Sequence, residues 1–146
     1  MNKGLKMKVI GYDLSPNDRF VKLGGRYVDR DEVFRKADFV SIHIPLNNHT
    51  FHSIGSKEFK SMKKTAFIIN ASRGAIVNEK ALYQSIVNHE ISGAAIDVFE
   101  TEPPSDSPLA QLDNVITTPH IAAFTYETFR HMDKESVAKL SKVFDT

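Results

Sequence analysis

The sequence contains no cysteine, which removes disulfides, thiolate nucleophiles and cysteine-ligated zinc together. It also lacks any run of one charge. Its 19 lysines and arginines stand against 18 aspartates and glutamates, mixed along 146 residues with a net charge of +1. Without a basic run or stripe, neither nucleic acid nor an anionic membrane is an expected partner. No apolar stretch approaches the roughly 20 residues of a membrane-spanning helix. The opening Met1-Asn2-Lys3-Gly4 has no apolar signal core, so a cytoplasmic protein is expected. Internal repeats, low-complexity segments and linkers are missing. A Gly-x-Ser-x-Gly elbow and a Gly-x-x-x-x-Gly-Lys phosphate loop are missing as well. His49, His52, His89 and His131 show no pairing at ligand spacing with a supporting carboxylate, so no metal is assigned.

What is present is average for one globular domain, with 41% hydrophobic and 25% charged residues. Short apolar runs alternate with polar, helix-like segments. Lys8 to Tyr12 reads as a strand ending at Asp13, and Ser15-Pro16-Asn17-Asp18 opens a helix that stops at Gly24-Gly25. Tyr27-Val28 is a brief strand, and 29–37 a helix with Val33, Phe34 and Ala37 on one side. Phe39 to Ile44 is a buried strand closed by Pro45, which has no N–H to donate to a ladder. A helix over 56–62 and a strand over 66–70 follow. The helix over 78–89 has Ala81, Leu82, Ile86 and Val87 spaced for one face. Ala94-Ala95-Ile96 leads to Asp97, and 115–118 to Pro119-His120. A last helix from Thr125 carries Phe129, Met132, Leu140 and Val143 on one stripe.

Apolar strands alternating with helices predict an α/β protein whose parallel sheet is covered on both faces. Ligands of such sheets lie beyond the carboxyl ends of the strands, where Asp13, His43, Arg73, Asp97 and His120 fall. Asp13 could accept hydrogen bonds from ribose hydroxyls and repel a 2′-phosphate, or could simply cap the turn before Ser15-Pro16. Arg73, in Asn70-Ala71-Ser72-Arg73-Gly74, offers a planar fork suited to a carboxylate; a surface arginine in a turn is the plainer reading. A carboxylate such as Glu102 beside His120 would fix the imidazole tautomer for acid–base work. An acidic loop residue and a strand-end histidine are the alternatives. His43 could line a cofactor cleft or be packed at its strand end.

In this order and spacing the segments resemble the D-isomer-specific 2-hydroxyacid dehydrogenases. The resemblance runs through Lys6 to Asp13, Ala37 to Leu46, Asn70 to Val77, Gly93 to Pro104 and Asn114 to Ala122. It implies an oxidoreductase that uses NAD on a D-2-hydroxy acid or 2-oxo acid. Arg73, Glu102 and His120 would be the catalytic set: Arg73 for the substrate carboxylate and carbonyl, His120 as acid/base, Glu102 as its acidic partner. Asp13, His43, Ile44, Pro45, Ala71, Ser72, Arg73, Asp97, His120, Ala122 and Ala123 would line the cofactor, with Asp97 near the nicotinamide and Asp13 implying NAD rather than NADP. The family usually dimerises through this domain, so a homodimer is implied, although the sequence leaves oligomeric state open.

The departures are equally specific. No Gly-x-Gly-x-x-Gly turn is encoded; in the family it would lie just upstream of Met1, on a central strand. Gly24-Gly25 follows a helix and cannot replace it. The expected fold is therefore an incomplete, doubly wound, Rossmann-like parallel sheet lacking its first strand and glycine-rich loop. Residues 1–146 form part of the NAD-binding domain and the substrate domain is absent. Two neighbouring strands are left without their shared partner. Two other readings share these motifs: a non-enzymatic, NAD-sensing corepressor-like relative, and the inactive product of a truncated gene. Which hydroxy acid is acted on is not legible here.

Overall fold

One face of a four-stranded sheet decides where the core lies. In the computed structural model, which describes residues 2–144, β3 (Phe39–Ile42), β4 (Phe67–Asn70), β5 (Gly93–Ile96) and β6 (Val115–Thr117) form one parallel sheet in sequential order. The expected ends at Met1 and Thr146 lie outside the described residues. The register aligns Val40 with Ile68, and Ile68 with Ala94, in one row. Ile42, Asn70 and Ile96 form the next row. All six are buried. Against them pack Phe34 of α3 (Arg30–Lys36), Phe59 of α4 (Ser56–Ser61), and Leu82 and Ile86 of α5 (Glu79–Val87). Burying a large aliphatic or aromatic side chain contributes about 1.5–3 kcal/mol, so this sheet–helix interface is the principal stabilising feature.

The helices lie within a residue or two of their expected bounds, and two of them start at a side-chain cap. Asn78 caps α5 by accepting the Ala81 N–H at 2.8 Å, leaving one fewer orphan donor in the first turn. Asn17 caps α2 (Asp18–Lys22) by accepting from Arg19. Arg30 ties α3 to α4 through Glu58 at 2.9 Å and reaches the Ser53 carbonyl. Within α5 the expected apolar face is corrected at one place. Val87 is exposed, and Ser85 is buried instead, its hydroxyl donating to the Ala81 carbonyl at 2.9 Å. Position 85 lies nearer than 87 to the direction shared by 82 and 86, since successive residues turn about 100°.

β1 (Ile10–Gly11) and β2 (Arg26–Tyr27) make a separate two-stranded parallel sheet. β1 is shorter than the expected 8–12 strand, and β2 lies one residue earlier than expected. β1 and β3 each have one unpaired edge, so the two sheets do not join among the described residues. This is the consequence expected when no strand is present to bridge them.

The expectation of two covered faces is corrected. The opposite rows, Phe39 with Phe67 and Ile69 with Ala95 and Ile116, look onto an apolar groove of about 410 Å³. Phe39 and Phe67 stack at 5.7 Å, and Ile116 is 70% exposed. The terminal helix α6 (Tyr126–Phe144) does not cover this face, and none of its residues is buried. Its stripe of Phe129, Met132, Leu140 and Val143 is present but exposed. An amphipathic pattern specifies a helix with one apolar side, not which surface that side meets. Among the described residues no helix is long and apolar enough to cross a membrane.

Candidate active site

The carboxyl ends of β4, β5 and β6 carry three short loops, each organised by a buried or half-buried polar group. After β4, Asn70 is almost fully buried. Its amide donates to the Arg73 carbonyl (3.0 Å), and its Oδ1 accepts both the N–H and the hydroxyl of Ser72 (3.2 and 3.0 Å). A buried amide satisfied on both sides fixes a turn, which here presents Ala71, Ser72 and Arg73. Arg73 is exposed, and its guanidinium donates to the Ser72 carbonyl at 2.6 Å. The sequence reading passed over Asn70, although an asparagine ending a buried strand before a turn was the available signal.

After β5 comes Asp97, 6% exposed. Oδ1 accepts the Thr118 hydroxyl (2.6 Å) and the Ile121 N–H (2.8 Å), and Oδ2 accepts the Ala122 N–H (2.9 Å). The Asp97 carbonyl accepts the His120 N–H at 2.8 Å. One residue thereby anchors the whole loop after β6 and holds His120 at a left-handed φ of 56°. Burial pushes the Asp97 carboxyl up. The Thr118 hydroxyl, the Ala122 and Ile121 amides and the His120 charge outweigh burial and keep it below the usual carboxylate value. Removing such an acceptor strands buried donors. Asp97→Asn, which puts an N–H₂ where Oδ2 accepts, should cost about 2 kcal/mol of unfolding free energy at neutral pH. Because the folded group is depressed, the wild type's advantage should be complete above the unfolded value of about 4. It should be lost as pH falls through the folded value. Urea melts of both proteins across that range check this; a pH-independent difference would contradict it.

Glu102 and His120, 18 positions apart in the chain, meet at 2.9 Å between Oε2 and Nδ1. The other Glu102 oxygen accepts the Phe99 N–H at 3.1 Å. The His120 ring, then the Phe99 amide, hold the Glu102 carboxyl below its usual value. With Nδ1 occupied, Nε2 is the ring nitrogen left for a reacting molecule. Arg73 reaches this pair through packed backbone: a Cβ on Gly74 would lie 1.9 Å from the Phe99 carbonyl oxygen.

The remaining candidates stand apart. Asp13 lies on the small sheet, two residues past β1, and its Oδ1 accepts the Ser15 N–H at 2.8 Å. The turn-forming role is thus present, with Oδ2 left over. Beyond β3, His43 is exposed with Nε2 at 2.8 Å from the Ser41 hydroxyl. Ile44 is exposed, and the Pro45 carbonyl accepts the Thr50 hydroxyl at 2.7 Å. Ala122 is bonded to Asp97, and the exposed Ala123 accepts the Thr125 N–H. Among the described residues no cluster of three or more His, Asp or Glu could hold a metal ion.

Residues 1–122 match the model of the D-isomer specific 2-hydroxyacid dehydrogenase, NAD binding domain. The chain is 43% identical over 132 residues to a glyoxylate reductase of Korarchaeum cryptofilum, covering 89% of this chain and 40% of that protein. It is 42% identical to a hydroxypyruvate reductase of Thermotoga maritima, over 93% of this chain and 45% of the relative. The NAD-complexed D-isomer specific 2-hydroxyacid dehydrogenase of Lactobacillus delbrueckii ssp. bulgaricus superposes with a TM-score of 0.87 at 34% identity. That match covers 98% of this chain and 48% of the solved one. The chain thus spans less than half the length of these relatives. Its parallel α/β sheet, the three loops at its carboxyl edge and these matches together show that the chain belongs to the D-isomer-specific 2-hydroxyacid dehydrogenase family and carries sequence of its NAD-binding domain.

Proposed function

We propose that this chain supplies the cofactor-side wall of an active site that interconverts D-2-hydroxy acids and 2-oxo acids with NAD, residues 1–146 forming part of one domain. The observation that carries the reading is the Glu102–His120 contact at 2.9 Å. It supports a carboxylate-oriented acid/base at the carboxyl edge of a parallel sheet, where ligands of such sheets bind.

The donor set suits a dinucleotide at its two ends. Asp13 keeps one carboxylate oxygen for ribose hydroxyls, and Ala71, Ser72, Ile44, Pro45 and the loop held by Asp97 offer a wall for the nicotinamide side. Between the ends, no glycine turn supplies the closely spaced N–H groups a pyrophosphate needs. When bound, the nicotinamide would donate or accept the hydride. In reduction, His120 would hold its reactive proton on Nε2 and pass it to the keto oxygen, while Glu102 stabilises the charged ring through Nδ1. In oxidation Nε2 would take that proton back. Arg73 would bind the substrate carboxylate with its fork and lower the energy of charge growing on the oxygen.

A chimera in which this chain replaces the matching segment of the Lactobacillus relative tests the proposal. It should reduce a 2-oxo acid with NADH, and His120→Gln should lower kcat by about 10²–10⁴-fold, the range of a general acid–base group. A chimera that turns over equally well with glutamine at position 120 would defeat the assignment.

A further inference from the structure

Next to the Glu102–His120 pair is a second polar cluster that the proposed chemistry does not use. His52 ends the long loop after β3 in a left-handed conformation, φ 48°. Its N–H donates to the Ala75 carbonyl at 2.7 Å, and Ile54 pairs with the chain at Ile76 and Val77, so this loop is laid along the segment that follows Arg73. The imidazole stacks on Phe51 with centroids 4.0 Å apart and has Nδ1 at 3.3 Å from the Asn78 amide. Nε2 lies 2.9 Å from Glu100 Oε1. Nε2 makes no aligned hydrogen bond, so the contact with the carboxylate is one of close approach, an ion pair when the ring is protonated.

Glu100 is engaged a second time. Its Oε1 accepts the Glu79 N–H at 2.9 Å, while the Glu79 carboxylate accepts the Glu100 N–H. Each acid caps the backbone of the other across 21 positions of chain. Burial first, and the facing Glu100 charge, push the Glu79 carboxyl up, against the Glu100 amide and the His52 charge. Two carboxylates in one corner need a cation to remain charged together, and His52 is the group placed to supply it. Phe99 joins this cluster to the Glu102–His120 pair. Its carbonyl is pressed on Gly74, its N–H holds Glu102 Oε1, and Glu100 follows it directly. Any shift of Glu100 is therefore passed to the oxygen that leaves Oε2 aimed at His120.

We propose that His52, Glu79 and Glu100 form a brace that fixes Glu102 against His120 and holds both at a set distance from the Arg73 turn, making His52 and Glu100 positioning residues. The proposal rests on reading Glu102 and His120 as the acid–base pair. Among the described residues no other ion pair or side-chain hydrogen bond links the loop after β3, the start of α5 and the Glu102 segment through charged side chains.

Carboxyl-carbon NMR titration of Glu102 in the 146-residue chain tests it, because the sign separates the brace from simple electrostatics. Removing the Glu100 charge acts directly to lower the Glu102 midpoint. Loss of positioning frees Glu102 from His120 and raises it. Glu100→Ala should raise the midpoint by about 0.5 pH unit or more, a fraction of what a close opposite charge can shift. Glu100→Gln keeps an oxygen for the Glu79 N–H but removes the charge facing His52, and should give a smaller rise. Amide spectra of β4 and β5 report folding; if the alanine variant does not fold, the glutamine variant decides. A midpoint unmoved or lowered in the folded variants overturns the brace. His120→Gln separates the two readings. A rise there with none in the Glu100 variants rejects the brace alone. No change with His120→Gln rejects the acid–base pair itself, and the brace with it.

Discussion

Purified by itself and offered pyruvate, hydroxypyruvate or another 2-oxo acid, the 146-residue chain should oxidise no NADH above background. Three independent features argue for this. Backbone N–H groups at a glycine turn and helix start are the usual cradle for a pyrophosphate, and the sequence encodes no such turn. The two sheets that would flank a bound dinucleotide are unjoined. The proposed catalytic groups stand in water: the His120 and Glu102 side chains are 49% and 38% exposed, and Arg73 is exposed as well. Holding reactants in a near-attack geometry supplies roughly 7–11 kcal/mol of a barrier, and an acid–base group that cannot be brought to its substrate supplies none of it. Water also screens the Arg73 charge that should stabilise the developing oxyanion. The check is a spectrophotometric NADH-oxidation assay, with isothermal titration for NADH affinity. Robust turnover abolished by Arg73→Ala would show that the site assembles without a phosphate loop.

Gly74→Ala should be the most damaging small substitution in the site, costing about 3 kcal/mol of unfolding free energy, near the upper end for overpacking. The atoms in the way are the carbonyl oxygen and carbon of Phe99, 1.9 and 2.0 Å from the added Cβ, with the Glu100 nitrogen at 2.6 Å. Backbone cannot rotate aside as a side chain can, so one loop must move away from the other. The φ of Gly74 is not in the left-handed region, and the requirement for glycine is therefore close approach rather than conformation. Gly55→Ala provides the contrast: nothing lies within 4 Å of its Cβ, and the change should fall within about 0.5 kcal/mol. Urea unfolding of both variants measures the difference. A Gly74→Ala protein within 1 kcal/mol of wild type, on the scale of an ordinary surface change, would mean the Arg73 and Glu102 segments are not locked together.

Much of the site was legible before any coordinates. Buried strands announce themselves as apolar runs, and their carboxyl ends mark where polar residues must serve a ligand or a turn. On that ground Arg73, Asp97 and His120 were singled out as candidates, with Glu102 as a carboxylate for His120. Boundaries moved by a residue or two, as at β1 and β2, because ladder pairing and not propensity sets where a strand stops. The placing of Val87 on the apolar face of its helix failed for a local reason, since apolar identity was weighed above the helical angle.

By itself the sequence determined the α/β alternation, the helix starts near Asp18 and Glu79, and the set of residues gathered at the strand ends. These follow from backbone sterics, hydrogen-bond capacity and periodicity over a few residues. Only the tertiary structure decided that one sheet face is bare and that the stripe of α6 stays exposed. It also decided that both oxygens of Asp97 are engaged in holding a loop, and that His52 touches Glu100. Such facts depend on register and on where loops return after twenty or more residues. A half-buried histidine and a glutamate 48 positions later carry no local pattern that says they meet. Their contact exists because two parallel strands, two helices between them and one glycine bring three loops to the same corner.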